Sequence, residues 1–379
     1  MNEDKIWLSS PHMGGSERKF VEEAFDTNWV APLGPNVNGF EKDLEDYLKQ
    51  GVQVAALSSG TAAIHLALVQ CGVEMDDEVI CQSFTFCGST NPIKYLGAKP
   101  ILVDSEVDTW NICPINLETA IEDRINKGKK PKAIIAVHLY GMPYKVDEIN
   151  NVAKRFDIPV IEDSAEALGS SYKGKKCGTF GTFGVLSFNG NKIITTSGGG
   201  ALVCYQISDK ERTVYLATQA REPALHYEHK EVGYNYRLSN IAAGIGRGQM
   251  EVLDKHVKLR QKMHDFYKEC FKEIPGVDVF TEPNSQIVSN HWLSAVLIDP
   301  LKTKGITNLD LLTAFAKANI EARPLWKPMH LQPLYEDAPY YGDTVAQDLF
   351  QKGLCLPSGS NLTDDDRSRI EKIIFELFY

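Results

Sequence analysis

Nowhere in its 379 residues does the chain hold a run of eighteen apolar residues, so no helix that crosses a bilayer is expected. Its first residues, Met1-Asn2-Glu3-Asp4-Lys5, are polar and lack the basic and apolar regions of a secretory leader. Basic charge is short as well. Forty Lys and Arg stand against fifty Asp and Glu, a formal net charge of -10, which argues against duplex nucleic acid or an anionic membrane as the main partner. The eight cysteines are scattered and include no Cys-x-x-Cys pair, so neither a disulfide framework nor a zinc site is expected and no metal is assigned. There is no internal repeat and no low-complexity tract. These absences point to a cytoplasmic protein with no nucleic-acid and no membrane partner.

What is present is enough apolar material, 43% of residues, for one large domain and a smaller one. Residues 52–57 read as a strand that ends at Ser58-Ser59-Gly60-Thr61, and Ala62, Ala63, Ile64, Leu66, Ala67 and Leu68 continue as a helix. Further strands are expected over 78–82, 99–103, 132–139 and 159–162, with helices over 116–126 and 146–156. This alternation predicts an α/β fold with a mostly parallel sheet covered by helices, and ligands at the carboxyl ends of its strands. From residue 239 to about 272 one long helical pattern leads into a smaller α+β segment. A division follows: residues 1–240 as the large domain and 241–379 as the smaller one.

Several residues of the large domain invite a chemical reading. Lys192 lies between apolar stretches and ahead of Gly198-Gly199-Gly200, and a lysine amine in partly desolvated surroundings can form a Schiff base with an aldehyde such as that of pyridoxal phosphate. A lysine on an edge strand facing water would fit the same string. Ser59, Gly60 and Thr61 join a strand to a helix, where amides, hydroxyls and the helix dipole suit a phosphate, although simple helix capping uses the same residues. Asp163 ends a strand and precedes Ser164-Ala165-Glu166, as an N-cap or as the buried acid that a pyridinium nitrogen requires. Ser187 could add a hydroxyl to a phosphate. Phe86 offers a flat face for a ring, or a core aromatic.

Phosphate loop, aromatic, strand-end acid, hydroxyl and lysine occur here in the order of fold-type I pyridoxal phosphate enzymes. The chain resembles that superfamily and, within it, the DegT/DnrJ/EryC1/StrS sugar aminotransferases. The likeness rests on Ser58-Ser59-Gly60-Thr61-Ala62-Ala63, Glu162-Asp163-Ser164-Ala165-Glu166, Gly178-Thr179-Phe180-Gly181, Ser187-Phe188-Asn189-Gly190-Asn191-Lys192 and Gly233-Tyr234-Asn235-Tyr236-Arg237-Leu238-Ser239. It implies a seven-stranded, mostly parallel sheet and pyridoxal phosphate as cofactor. Lys192 would be the catalytic Schiff-base lysine, Asp163 the partner of the ring nitrogen, Ser59, Gly60, Thr61 and Ser187 the phosphate site, and Phe86 the stacking ring. Asn235 matches an asparagine that in relatives reaches the phosphate of the neighbouring subunit, which implies a homodimer with shared sites. Glu166 stands where many relatives carry Gln or His beside the cofactor's 3-oxygen; an ionised Glu would repel a phenolate unless one of them holds a proton.

The segment from Asn28 through Trp29, Val30 and Ala31 to Pro35 is similar to the one that meets the sugar nucleotide in C4 aminotransferases of UDP-linked 4-keto-6-deoxy sugars, and equally suits a tight loop. Arg323 and His330 lie in a run that places cations among aromatics, as a diphosphate and a uracil would need. The resemblance thus implies transfer of an amino group from glutamate to the C4 ketone of UDP-4-keto-6-deoxy-N-acetylglucosamine, with a 3-keto or dTDP-linked sugar as the alternative. Related dehydratases carry His in place of the lysine, and a non-catalytic sugar-nucleotide binder is expected to lose the lysine, the acid or the hydroxyls. Gly244-Ile245-Gly246-Arg247-Gly248 lies inside a helical pattern without a preceding strand, so the fingerprint of a nicotinamide enzyme fails.

Overall fold

The computed structural model describes residues 4–379, so Met1, Asn2 and Glu3 of the polar start lie outside the described residues. Two helices, α1 (Glu17–Asp26) and α2 (Pro35–Leu48), come first. Gly34 before α2 has φ 142°, and a Cβ there would lie 2.6 Å from Asn240 Oδ1, so both backbone and space call for glycine. The alternation then runs β1 (Gln53–Leu57), α3 (Gly60–Gln70), β2 (Glu78–Gln82), α4 (Cys87–Tyr95), β3 (Lys99–Val103), α5 (Pro114–Asn126), β4 (Ala133–Val137), α6 (Val146–Phe156) and β5 (Val160–Asp163). Each expected strand forms, with ends shifted by two residues at most. A hairpin of β6 (Ser171–Tyr172) and β7 (Lys175–Lys176) precedes β8 (Phe183–Ser187), β9 (Gly200–Cys204) and α7 (Ile207–Ala217).

The rest of the chain holds α8 (Asn240–Met250), α9 (Leu253–Phe271), β10 (Val277–Val279), β11 (Ile287–Val288), β12 (Ser294–Ile298), α10 (Asn308–Lys317), β13 (Arg323–Pro324), β14 (Tyr340–Tyr341), α11 (Val345–Lys352), β15 (Gly353–Leu356) and α12 (Asp364–Phe378). The single helix expected over 239–272 is two, broken at Glu251 and Val252. The two halves answer to different neighbours. α8 lies tight on α1 and α2, where a Cβ on Gly246 would fall 2.7 Å from the Phe40 ring and one on Gly248 2.6 Å from the Glu17 backbone nitrogen. α9 packs instead on β10 and β12. The Gly-x-Gly-x-Gly run is therefore a helix-packing surface.

The main sheet has the order β1-β9-β8-β5-β4-β2-β3-β14. Seven of these strands match the expected sheet; the eighth, β14, is a two-residue edge strand lent by the C-terminal part, which no seven-strand reading anticipates. Only β9 runs antiparallel to its neighbours among the described residues. β2 and β4 are buried along their whole length, as strands covered on both faces must be. One apolar core joins Ile80 and Ile134 of the main sheet to Trp292, Ala295 and Leu325 beside the second sheet, whose order is β10-β12-β15-β13. Another core, around α9, α10 and α12, takes in Ile6, which bridges to Ile320. No helix among the described residues is long and apolar enough to cross a membrane. The topology brings the carboxyl ends of β1, β5 and β8 to one edge.

Candidate active site

At that edge β1 hands over to α3 through Ser58 and Ser59. Ser59 is extended (φ -167°, ψ 162°), and its Oγ accepts the Ala62 amide at 3.0 Å, an N-cap. The Gly60 and Thr61 amides have no acceptor inside the helix and lie beside a cavity, where the helix dipole favours an anion. Close approach dictates the glycines: a Cβ on Gly60 would sit 3.1 Å from Ser187 Cβ, and one on Gly200 2.3 Å from Gly60 N. Capping and anion binding are thus compatible here.

The cavity measures about 340 Å³ and is lined by Ser59, Gly60, Thr61, Phe86, Asp163, Glu166, Ser187 and Lys192. All eight of these cofactor-site candidates meet in one place. Asp163 is buried at the end of β5; its Oδ2 accepts from Ser89 Oγ at 2.7 Å and its Oδ1 from the Ala165 amide at 3.1 Å. Burial drives its carboxyl above the usual carboxylate range, against the opposing pull of those bonds and of Lys192. It makes no salt bridge with any described residue. Glu166, also buried, accepts the Tyr140 amide at 2.7 Å and lies 3.5 Å from Lys192 Nζ. Burial raises its carboxyl too, opposed by Lys192 and by that amide.

Lys192 is not a solvent-facing edge residue. Its side chain is 13% exposed, and Nζ sits 4.0 Å from the centroid of the Trp292 ring, whose indole N–H donates to Asn191 O at 2.7 Å. Phe86 stands 53% exposed at the mouth, tilted 49° against Trp326 at 5.3 Å. Ser89 and Trp292 are lining residues that the sequence reading did not single out, whereas Trp326, the aromatic of the Arg323–His330 run, lines the cavity although Arg323 and His330 do not. Ser89 lies three residues after Phe86 in the first turn of α4, a spacing that could have singled it out. Trp292 comes from a distant loop with no local signal.

Other candidates lie outside the cavity of a single chain. Asn28 (φ 56°) opens a turn in which Asn240 holds the Trp29 carbonyl at 3.0 Å and the Ala31 carbonyl at 2.8 Å; Trp29 and Val30 are 40% and 54% exposed. Arg323 points outward and is bound by Glu321 at 2.8 Å. His330 is engaged by Ser83 Oγ at 2.7 Å and stacks on Tyr340 at 4.0 Å, and burial lowers its pKa, opposed by Asp104. Asn235 is exposed, in an isolated bridge with Thr218.

The donor set suits pyridoxal phosphate. A buried acid without a counter-ion matches a protonated ring nitrogen, a helix start with hydroxyls matches a phosphate, and a shielded amine matches an aldehyde. The fold is that of the fold-type I pyridoxal phosphate enzymes. Among solved structures it superposes on a DegT DnrJ EryC1 StrS aminotransferase from Brucella abortus with TM-score 0.87 and 27% identity, covering 96% of this chain and 95% of that one. It also superposes on Helicobacter pylori PseC, an aminotransferase in the biosynthesis of pseudoaminic acid, with TM-score 0.88 and 25% identity over 99% of each.

The sequence profile of the DegT/DnrJ/EryC1/StrS aminotransferase family matches residues 11–375, and the chain belongs to that family. It is a pyridoxal phosphate-dependent sugar aminotransferase. Similar proteins include EpsN of Bacillus subtilis (strain 168), provisionally named a pyridoxal phosphate-dependent aminotransferase, which is 51% identical over 99% of this chain and 96% of its own length. GDP-perosamine synthase of Escherichia coli O157:H7 is 36% identical over 98% of each.

Proposed function

We propose that the enzyme moves an amino group from glutamate to the C4 ketone of UDP-4-keto-6-deoxy-N-acetylglucosamine, giving a UDP-4-amino-4,6-dideoxy sugar, with Lys192 as its catalytic residue. The observation that carries the amino-transfer site is the lysine amine held over Trp292 in the cavity that also holds Asp163 and the start of α3. Bound pyridoxal phosphate supplies the electron sink for a developing carbanion. Asp163, fixed by Ser89 and the Ala165 amide, presents its carboxylate to a cationic N–H. Thr61, Ser187 and the Gly60 and Thr61 amides hold the phosphate, and Phe86 walls the ring. Lys192 Nζ takes the proton from the amino donor's α-carbon and, in the second half-reaction, delivers one to C4 of the sugar. Glu166, raised by burial, can carry the proton that relieves its repulsion with a phenolic oxygen.

The sugar assignment rests on residues 28–35 and on Asn189-Gly190-Asn191-Lys192, and glutamate on the family resemblance. Exposure of Trp29, Val30 and Asn235 supports a homodimer in which a second copy brings such residues to the site. A GDP-linked sugar is the second reading, favoured by the likeness to GDP-perosamine synthase. The test incubates the enzyme and glutamate with UDP-, GDP- and dTDP-linked 3-keto and 4-keto sugars and identifies products by NMR. Amination at C4 of the UDP sugar is expected, and Lys192→Ala should lower turnover by at least about 10²–10⁴-fold, the share of general acid-base catalysis alone. Turnover of 3-keto sugars only would overturn the C4 assignment, and turnover of GDP sugars only the UDP one.

A further inference from the structure

Among the described residues, two groups of side chains outside the active site each offer three ligand-type atoms within 4.8 Å of one another: His138, Glu162 and Cys177, and His264, Glu282 and His291. They differ in what their atoms already do. In the first, Glu162 is bonded by His138 Nε2 at 2.7 Å and by the amides of Gly178, Phe180 and Gly181, while His138 Nδ1 accepts the Tyr144 amide at 3.1 Å. Both ring nitrogens of His138 and both oxygens of Glu162 are therefore engaged by the fold itself, and the pair is a structural network. In the second, both ring nitrogens of His264 are buried without a hydrogen-bond partner, though the residue is only 2% exposed. Buried polar atoms almost always find partners, so two on one ring need an explanation.

We infer that His264, Glu282 and His291 form a binding site for a divalent transition metal of the zinc type, tying the 282–291 loop to α9. His264 projects from α9; its ring stacks on that of His291 with centroids 3.7 Å apart and planes at 9°. His291 Nε2 lies 3.0 Å from Glu282 Oε1, whose carboxylate also accepts the Ser289 amide at 3.0 Å. An ion pair between His291 and Glu282 would account for those two residues and leave His264 without a role. A metal gives all three one. Two imidazoles and a carboxylate are a borderline donor set that zinc accepts at about 2.0–2.1 Å, with a fourth position for water.

His291 adopts φ 46°, in the left-handed region that few non-glycine residues enter, histidine more often than most. One further feature agrees. The Glu282 side chain is 24% exposed, which leaves a route to solvent for the ion and room for its water. Nearly parallel rings do not aim their lone pairs at one point, so loading requires rotation about χ2, a soft torsion in histidine. The ligands are 18 and 9 residues apart in sequence, spacing that matches no metal motif and explains why the sequence reading assigned none. The loop continues into Trp292, which covers Lys192, so the site would brace one wall of the active-site cavity.

The test loads the full-length holoenzyme, freed of adventitious metal by chelation and dialysis, with zinc chloride and measures stoichiometry and affinity by competition with a chromophoric indicator. One zinc per chain is expected. Affinity should fall by more than about 100-fold in His264→Gln and in Glu282→Gln, since even the outer partners of a metal ligand command about 10–100-fold. Glu282 is partly exposed, so its variant decides the matter if His264→Gln fails to fold. Cobalt loading should add visible d–d bands at one equivalent that Glu282→Gln lacks. Zinc binding that is absent, or that is equally strong in Glu282→Gln, would overturn the proposal.

Discussion

Glu162 and Asp163 are neighbours on β5, both acidic and both buried, yet they live opposite lives. Successive side chains of a strand point to opposite faces. Glu162 turns into the body of the fold, where burial pushes its carboxyl up but the hydrogen bonds of His138, Gly178 and Phe180 outweigh it and leave the group below the usual range. Asp163 turns toward the cavity, where two hydrogen bonds fail to outweigh burial and the group stays above that range. The contrast separates a carboxylate whose hydrogen bonds outweigh its burial from one whose two hydrogen bonds do not. Local string and burial do not distinguish them; saturation does.

The largest effect is expected from Glu162→Gln, which sets an amide NH₂ among N–H donors and breaks the pair with His138. Each buried N–H donor left without its acceptor costs about 1–3 kcal/mol, and several of them meet at Glu162, so the midpoint of chemical denaturation should drop accordingly. The pH dependence follows from the sign of the shift. A carboxyl lowered in the fold contributes stability above its ordinary value of 4.5 that is lost as pH falls through the folded value, so the gap between wild type and variant should close in acid. A gap that persists unchanged in acid would mean that Glu162 is not held by charge.

Asp163→Asn should do the reverse. Loss of a buried charge partner costs about 2–5 kcal/mol, so kcat/KM should fall roughly 30- to 4,000-fold. Folding should not suffer. Because Asp163 is raised in the fold, its contribution is present below the ordinary value of 3.8 and lost as pH rises through the folded value. The cofactor-free variant, whose Asn cannot ionise, should therefore melt above the cofactor-free wild type at pH 7. A variant that melts lower and keeps its activity would place Asp163 with Glu162 as a structural acid.

Legibility in the sequence followed the same divide. Strand ends were readable because apolar runs stop sharply there, and Asp163, Ser187 and the Ser59–Thr61 turn stand at such stops on one sheet edge. Lys192 was readable through its place after them. Trp292 was not, because it reaches Lys192 from beyond β11 and no local pattern announces a contact across a hundred residues. β14 stayed hidden because two residues carry no periodicity. The break between α8 and α9 was masked by a helical pattern continuous across it, and only the glycine contacts with Phe40 and Glu17 show why α8 follows a different neighbour. Residues 28–31 are legible as a motif, yet they lie outside the cavity, since a motif does not say where the fold will carry it.

Glu166 lies between the two extremes, and the smallest effect is expected there. It is raised by burial like Asp163, but it already accepts the Tyr140 amide and faces Lys192 Nζ at 3.5 Å. Glu166→Gln keeps an acceptor for Tyr140 and offers an N–H where the protonated acid would offer an O–H. A hydrogen bond exchanged for a similar one changes free energy by about 0.5–1.5 kcal/mol, so the plateau of kcat/KM should move by less than about tenfold. The shape of the pH profile should change more than its height. Wild type should show an inflection above the ordinary carboxylate value of 4.5 that belongs to Glu166, and the Gln variant should lack it. An inflection that survives the substitution would assign the titration to another group and make Glu166 a fixed acceptor like Glu162.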